Sequence, residues 1–341
     1  MRIAVDAMGG DRAPSIVVEG AILAAKEIDA EIILVGREQE IRDELAKYKT
    51  IPENISLNNA SEKIEMHESP VVACRQKPDS SMMVSNKLVS ENKADVVVSA
   101  GNTGAAMTAS FMNFGRLEGV FRPAIAALFP TVIGRNILID VGANVDCKPK
   151  HLLQFSVMGM VYAERMLGVS NPRVGLLSIG EEESKGNEAT LEASKLLKKV
   201  PINYIGNIEG RDVLSDKADV IVCDGFIGNI ILKFAESLVE RFYAGLKVEF
   251  TRRSIFRNLG AILAKPVVKD FLKKKYDYSE YGSAPLLGLK KASFISHGSS
   301  SAKAIKNAIK TSAEFVKQRV NSHIEERLKK FSSYFNQKNG E

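Results

Sequence analysis

Residues 94–104, ADVVVSAGNTG, pass directly from a short apolar run into a turn rich in glycine and asparagine, and a helix-compatible segment follows. The same unit recurs along the chain, with strand-like runs at Arg2–Asp6, Glu31–Val35, Asn136–Val141, Arg173–Ile179 and Ala218–Cys223. Apolar runs without alternation are typical of strands that are buried on both faces. Such strands, alternating with helical segments, predict a doubly wound α/β/α sandwich with a mostly parallel sheet.

The domain organisation follows from where this unit of strand, turn and helix recurs and where it is absent. A single large α/β/α domain is predicted for residues 1–330, and residues 331–341 are predicted to be a polar tail. Between about 230 and 278 the chain reads as helical, with Pro266 as the interruption, which predicts a helical hairpin insertion. Within it, Lys247–Lys275 carries nine lysines or arginines against two acidic residues, interleaved with apolar side chains. This is a basic amphipathic pattern.

Cysteine content and hydropathy bear on the compartment. The 341 residues carry a formal net charge of +6 and three cysteines, Cys74, Cys147 and Cys223, without a CxxC pair. So sparse a set is typical of a reducing compartment rather than of a disulfide framework. The chain begins with a strand-like segment, so we do not expect a cleaved signal peptide, and no stretch approaches the roughly 18 apolar residues of a spanning helix. We expect a cytoplasmic protein that can lie peripherally on the inner face of the cell membrane.

Several common catalytic motifs do not occur in the chain. It lacks the GxxxxGK[ST] and GxGxxG phosphate-binding loops, the GxSxG nucleophile elbow and the HExxH zinc pair. The four histidines, His67, His151, His297 and His323, do not have metal-ligand spacing. We therefore predict no cofactor and no metal. The basic run lacks a recognisable nucleic-acid-binding module, so nucleic acid is not expected as a partner.

Glycine-rich turns at the carboxyl ends of the predicted strands are the candidate binding groups. In parallel sheets ligands bind beyond these ends, and turns that open a helix bind anions through their N–H groups. Ser99–Ala105 and Asp224–Asn229 are such turns, and Asn229 is placed to cap a helix or to reach a ligand. The alternative is that each is an ordinary turn in which glycine allows a positive φ. Their concentration at one predicted edge of the sheet favours binding.

Two further segments have a structural and a functional interpretation. Residues 179–186, IGEEESKG, are either a solvated loop or a loop in which Lys185 neutralises a phosphate. Residues 297–300, HGSS, precede a helix-like run at Ala302–Ile309, and they either cap it or form another anion-binding helix start. The residues alone leave both choices open.

Taken in order, these turns resemble the acyl-carrier-protein-dependent phosphate acyltransferase family of bacterial phospholipid synthesis. The matching segments span nearly the whole chain and are Asp6–Asp11, Ser99–Ala105, Asp140–Asn144, Gly180–Gly186, Asp224–Asn229, Glu280–Gly288 and His297–Ser300. The resemblance implies a Rossmann-like fold, a homodimer, and the reaction of an acyl-carrier-protein thioester with inorganic phosphate to give acyl phosphate. Ser283 departs from the pattern, because the family usually has a second glycine there.

The resemblance marks Lys185 and Asn229 as catalytic positions. Because phosphate is itself the nucleophile, the enzyme needs only to position two reactants and to stabilise a thioester oxyanion. The expected substrate- and phosphate-binding residues are Asp6, Gly9, Gly10, Asp11, Gly101, Asn102, Thr103, Gly104, Asn144, Glu182, Gly186, Asp224, Gly225, Gly228, His297 and Ser299.

Other functions remain compatible with the sequence. The architecture also fits a phosphate acetyltransferase-like or dehydrogenase-like enzyme that acts on a small acid. A non-catalytic scaffold that binds carrier protein or membrane is the third interpretation. The basic segment Lys247–Lys275 suits an acidic carrier protein or an anionic lipid surface, and its apolar face equally suits a dimer contact.

Overall fold

A computed structural model of the chain describes residues 1–251 and 282–335. Its strands are β1 (Arg2–Asp6), β2 (Glu31–Gly36), β3 (Ile55–Asn59), β4 (Val96–Ser99), β5 (Ala124–Pro130), β6 (Arg135–Ile139), β7 (Val174–Leu177), β8 (Tyr204–Ile208), β9 (Val220–Val222), β10 (Ala284–Leu287) and β11 (Ala292–Ile295). Its helices are α1 (Ser15–Ala25), α2 (Glu38–Leu45), α3 (Pro70–Gln76), α4 (Ser81–Ser90), α5 (Thr103–Phe114), α6 (Pro149–Tyr162), α7 (Glu188–Leu197), α8 (Gly225–Thr251), α9 (Ala302–Lys317), α10 (Val320–Lys330) and α11 (Ser332–Phe335).

All six predicted strands are present, and they correspond to β1, β2, β4, β6, β7 and β9. Strands β3 and β8 were not predicted because they are the two edge strands of the sheet and carry polar residues such as Asn58 and Asn207. Strands β5 and β10 were not predicted either, because neither is followed by the combination of turn and helix that marks the other units. Strand β11 was not predicted, although the 297–300 turn and helix α9 follow it. Helix α9 extends the predicted Ala302–Ile309 segment to Lys317.

The strands form one sheet of order β3-β2-β1-β4-β11-β10-β5-β6-β9-β7-β8. Strands β3, β2, β1, β4 and β11 are parallel, and so are β6, β9, β7 and β8. Between these two groups, β10 is antiparallel to β11 and β5, and β5 is antiparallel to β6. The two parallel halves therefore run in opposite directions. The prediction that all the glycine-rich turns share one edge is wrong, because each half has its own carboxyl edge.

Helices cover both faces of the sheet. Successive strand residues alternate between two apolar clusters, so that Val5 and Val98 pack on one face while Ala4 and Val97 pack on the other. Both faces are buried, as the unbroken apolar runs predict, and the doubly wound α/β/α fold is confirmed.

The outer segments differ in part from expectation. Helix α8 shows that the predicted insertion is helical at its start, while residues 252–278 lie outside the described residues. Phe331 and Phe335 are buried in the core, so residues 331–335 of the predicted tail belong to the folded body. In the part of the chain that the structure describes, no helix is long and apolar enough to cross a membrane.

Candidate active site

Asp140 organises the carboxyl edge of the second half of the sheet. It follows β6, and its buried carboxylate accepts hydrogen bonds from the amides of Ile125 at 3.0 Å, Gly142 at 3.2 Å, Ala143 at 3.0 Å and Asn144 at 2.7 Å. The side-chain amide of Asn144 adds a fifth bond, at 2.9 Å. Burial raises the pKa of Asp140, while these hydrogen bonds act in the opposite direction. The amides of the 142–144 turn are thus committed to an internal carboxylate.

Helix α8 begins directly against this turn. The amide of Gly225 donates to the carbonyl of Asn144 at 2.7 Å, and a Cβ at Gly228 would lie 1.9 Å from the carbonyl oxygen of Asp140. Segment 224–229 was predicted to be a turn. It is instead the first turns of the helix, capped by Asp224, whose carboxylate accepts from the Ile227 amide at 2.9 Å. Glycine at 225 and 228 permits the close approach of the two backbones.

Asn229 lies on α8, half-buried, beside the 140–144 turn. A Cβ at Gly142 would be 3.5 Å from the Cβ of Asn229 and 3.6 Å from its side-chain oxygen. Asp224 caps the helix, so Asn229 is not the cap. Among the described residues, nothing forms a hydrogen bond with its side-chain amide. An asparagine whose donor and acceptor are both unused is available to a ligand.

The loop between β7 and α7 carries Lys185 at its exposed end. The amide of Lys185 donates to the Glu182 carbonyl at 2.9 Å, and the Lys185 carbonyl accepts from the Ser178 hydroxyl at 3.0 Å. Asn207 from β8 donates to both carbonyls, at 2.9 Å from Glu182 and 3.2 Å from Lys185. The loop is therefore held through its backbone, and this leaves the side chain of Lys185 unconstrained.

Charges around Lys185 are paired with one another. Glu181 lies 2.9 Å from Lys217, and Glu183 lies 2.5 Å from Lys198. Lys185 takes part in none of the ion pairs formed within residues 1–251 and 282–335. A cation left unpaired in a loop of paired charges can accept an external anion.

Unused backbone donors follow Lys185. Gly186 has a φ of +135° and leads to Asn187, which caps α7 by accepting from the Thr190 amide at 2.9 Å. The amides of Gly186, Asn187 and Glu188 donate to no acceptor in the described part of the chain. N–H groups at a helix start attract anions, as does the helix dipole. Together with Lys185 they form a donor set suited to phosphate.

A cavity of about 510 Å³ adjoins both of these segments. It is lined by Val145, Asp146, Cys147, Leu152, Asn187, Ala189, Thr190, Asp224, Phe226 and Ile227. Asn187 is two residues from Lys185, and Ile227 is two residues from Asn229. The cavity therefore adjoins the two segments that carry the predicted catalytic positions, although neither Lys185 nor Asn229 lines it.

Cys147 lines this cavity but is poorly suited to be a nucleophile. Burial, followed by the negative charge of Asp140, raises the pKa of its thiol to about 12. We expect the iodoacetamide rate at Cys147, followed by peptide mass spectrometry, to rise about tenfold per pH unit from pH 7 to 9 without a plateau, because thiolate is the reactive form. Cys147→Ala should keep turnover within about tenfold. A plateau near pH 7, or an inactive variant that is folded, would contradict this.

Asp6 plays the corresponding part in the first half of the sheet. Its buried carboxylate accepts from the hydroxyls of Ser81 at 2.5 Å and Ser99 at 2.6 Å and from the Met8 amide at 3.3 Å. Burial raises the pKa of Asp6, and the two hydroxyls oppose that shift. Asp6 thus joins the turn after β1 to the turn after β4, where the Gly101 amide donates to Ser99 at 3.1 Å.

The glycines of these turns let backbones meet. A Cβ at Gly9 would lie 2.7 Å from the Gly101 nitrogen, and one at Gly104 would lie 2.6 Å from the side chain of Pro70. Gly10 has a φ of +107°. Asn102 is the cap of α5, which begins at Thr103, and its side chain accepts from the Ala105 amide at 3.0 Å. The first-turn amides of Thr103 and Gly104 donate to no acceptor among the described residues.

The segment after β11 completes this group. The Asp11 amide donates to the Gly298 carbonyl at 2.9 Å, and the Ser299 amide donates to Nδ1 of His297 at 3.2 Å. The hydroxyl of Ser299 is also 2.8 Å from that nitrogen. With Nδ1 accepting, the ring proton lies on Nε2. The cap of α9 is Ser301, so His297 and Ser299 are not needed for capping.

The predicted residues therefore fall into two groups. Asn144, Glu182, Lys185, Gly186, Asp224, Gly225, Gly228 and Asn229 surround or adjoin the turn and cavity of the second half, and the others surround Asp6 in the first. Asp140 was not among the candidates. Its position resembles that of Asp6, because each aspartate ends a strand-like run and is followed by glycine two or three residues later. Cavity residues such as Leu152 and Ala189 gave no signal in the sequence. Within the described ranges, no three His, Cys, Asp or Glu residues are grouped to hold a metal ion.

The chain is similar in sequence to a known family. Residues 1–323 match the family described as fatty acid synthesis protein. A phosphate acyltransferase of Geotalea daltonii is 49% identical over 328 residues, which cover 96% of this chain and 94% of the relative. A phosphate acyltransferase of Geobacter sulfurreducens is 48% identical over 338 residues, which cover 99% and 97%.

Solved structures with the same fold include a phosphotransacetylase from Streptococcus pyogenes, with a TM-score of 0.63 and 17% identity over 93% of this chain and 94% of that one. A branched-chain phosphotransacylase from Enterococcus faecalis has a TM-score of 0.55 and 12% identity over 93% of this chain and 99% of that one. At such low identity the likeness concerns the fold, and it confirms the Rossmann-like architecture.

Proposed function

Because the chain belongs to the fatty acid synthesis protein family and is a phosphate acyltransferase, we propose that it transfers the acyl group of an acyl-carrier-protein thioester to inorganic phosphate. A phosphate oxygen attacks the carbonyl carbon, the new C–O bond forms, and the C–S bond breaks. The thiolate of the carrier leaves and takes up a proton. The acyl phosphate then serves glycerolipid and phospholipid synthesis.

One observation carries the proposal: the 510 Å³ cavity adjoins the loop that carries an unpaired lysine with unused amides and the first turns of the helix that carries an unused asparagine. In the proposed mechanism Lys185 and the amides of residues 186–188 hold phosphate at the start of α7. Asn229 orients phosphate or donates to the thioester oxygen as it becomes negative. Both roles are positioning and electrostatic tasks, which need no covalent protein intermediate.

The aspartates act indirectly in this mechanism. Asp140 holds the 142–144 turn on which α8 and Asn229 rest, and Glu182 shapes the Lys185 loop through its carbonyl. For the first half of the sheet, we propose that the turns around Asp6 and the unused amides of Thr103 and Gly104 contact the substrate.

The partners follow from charge and exposed apolar surface. We propose that basic residues of Lys247–Lys275 attract the acidic carrier protein, or anionic lipid when the enzyme lies peripherally on the inner membrane face from the cytoplasm. Helix α8, which leads into this segment, exposes Ile230, Phe234, Leu238 and Phe242. An exposed apolar row of this kind suits the proposed homodimer.

The test is an assay of the purified protein with palmitoyl-acyl-carrier-protein, with and without phosphate, in which hydroxylamine traps acyl phosphate as the hydroxamate. We expect hydroxamate only when phosphate is present, together with an equal amount of free carrier protein. Acetyl-coenzyme A serves as the comparison substrate. Phosphate-dependent turnover of acetyl-coenzyme A alone would overturn the carrier-protein proposal in favour of a phosphate acetyltransferase-like enzyme.

A further inference from the structure

Resting on the proposed function, we propose a division of the site: the 510 Å³ cavity takes the apolar acyl chain of the thioester, and phosphate binds outside it. The cavity is large enough for such a ligand, since small-molecule sites commonly measure about 300–1,000 Å³. The position of the cavity determines which end of the acyl chain lies near the predicted catalytic positions.

The walls of the cavity are apolar and incompletely covered. Phe226 and Ile227 are 56% and 39% exposed, and Val145 is 62% exposed. Leu152 is almost fully buried, so its side chain belongs to the deep end. Three large apolar side chains left exposed around one concave surface gain free energy when a hydrocarbon chain covers them, by about 25 cal/mol per Å².

Apart from Asp146, the polar side chains that line the cavity already have hydrogen-bond partners within the protein. Asn187 accepts from the Thr190 amide at 2.9 Å, and the Thr190 hydroxyl donates to the Asn187 carbonyl at 2.9 Å. Asp224 accepts from the Ile227 amide at 2.9 Å. These polar atoms already form hydrogen bonds within the protein, so a hydrocarbon chain in the cavity would leave few of them without a partner.

Charge keeps phosphate outside the cavity. Asp146 and Asp224 both line it, and two carboxylates repel an anion. The unpaired cation, Lys185, is on the adjoining loop rather than in the wall. An acyl chain inside the cavity would place its carbonyl at the rim, toward the segments that carry Lys185 and Asn229.

Chain-length selectivity provides the test, with Ala189→Leu as the main variant. Ala189 lines the cavity from the first turn of α7, and leucine there fills space without opposing the helix. We expect kcat/KM for palmitoyl-carrier-protein to fall at least about tenfold and that for butyryl-carrier-protein to change less than about threefold. Ala46→Leu, at an exposed alanine after α2, is the matched control and should change neither.

A binding measurement separates this inference from the proposed function. Palmitoyl-pantetheine should slow the modification of Cys147 by iodoacetamide in the wild-type protein at least about threefold, and acetyl-pantetheine should not. Phe226→Ala should weaken the protection. Protection without acyl phosphate formation would leave the cavity assignment standing and remove the reaction. Turnover without protection, or an equal loss for both chain lengths in Ala189→Leu, would overturn the cavity assignment.

Discussion

Replacing Lys185 with alanine is expected to lower phosphate-dependent turnover by about 10²–10³-fold, as the loss of a single transition-state donor commonly does. The thermal unfolding midpoint should stay at the wild-type value, because the side chain is exposed and pairs with no described residue. The backbone contacts of the loop, from Ser178 and Asn207, do not depend on the lysine side chain. Initial rates at varied phosphate, beside thermal unfolding, measure both quantities.

Three variants make this result specific. Lys198→Ala removes a lysine that pairs with Glu183 nearby and should keep near-normal rates. Lys185→Arg keeps the charge but changes its geometry, and we expect partial activity with a raised KM for phosphate. Asn229→Ala should lower kcat more than it raises that KM. Near-normal rates in both Lys185→Ala and Asn229→Ala would refute the assigned site.

The sequence predicts the strands that end in glycine-rich turns, because burial and turn chemistry both depend on residues that are close together in the chain. The direction of a strand in the sheet cannot be predicted from such local residues. The reversal between the halves depends on β5 and β10, and the short APLL segment of β10 carries neither an alternating pattern nor a turn that marks it as a central antiparallel strand. The sheet therefore has two carboxyl edges, whereas the glycine-rich turns predicted a single one.

The sequence also does not predict which acceptor the amides of the 142–144 turn bind. Glycine and asparagine at 142–144 indicate exposed N–H groups, yet Asp140 accepts all three. Whether a carboxylate turns inward or toward solvent depends on neighbouring strands, here on β5 through Ile125. Lys185 and Asn229 came from a family resemblance, and the structure adds a physical reason for each, since neither side chain is used by another described residue.

Gly228→Ala is expected to destabilise the protein by about 3 kcal/mol or more, because a backbone clash cannot be relieved by side-chain repacking. The added Cβ would lie 1.9 Å from the Asp140 carbonyl oxygen and 2.9 Å from the sulfur of Cys223. Helix α8 must move away from the turn, which also takes Asn229 from its place beside Gly142. We therefore expect turnover to be lost even at temperatures where the variant remains folded.

Gly245→Ala, on the same helix, is the matched control, and its expected effect on stability is opposite to that of Gly228→Ala. No described atom lies within 4 Å of a Cβ at this position, so alanine adds helix propensity without a clash. Its stability should rise by about 0.5–1 kcal/mol. Denaturant unfolding of both variants against wild type measures the pair. If Gly228→Ala unfolded at the wild-type denaturant concentration, α8 could not rest on the Asp140 carbonyl, and the route from that aspartate to Asn229 would be lost.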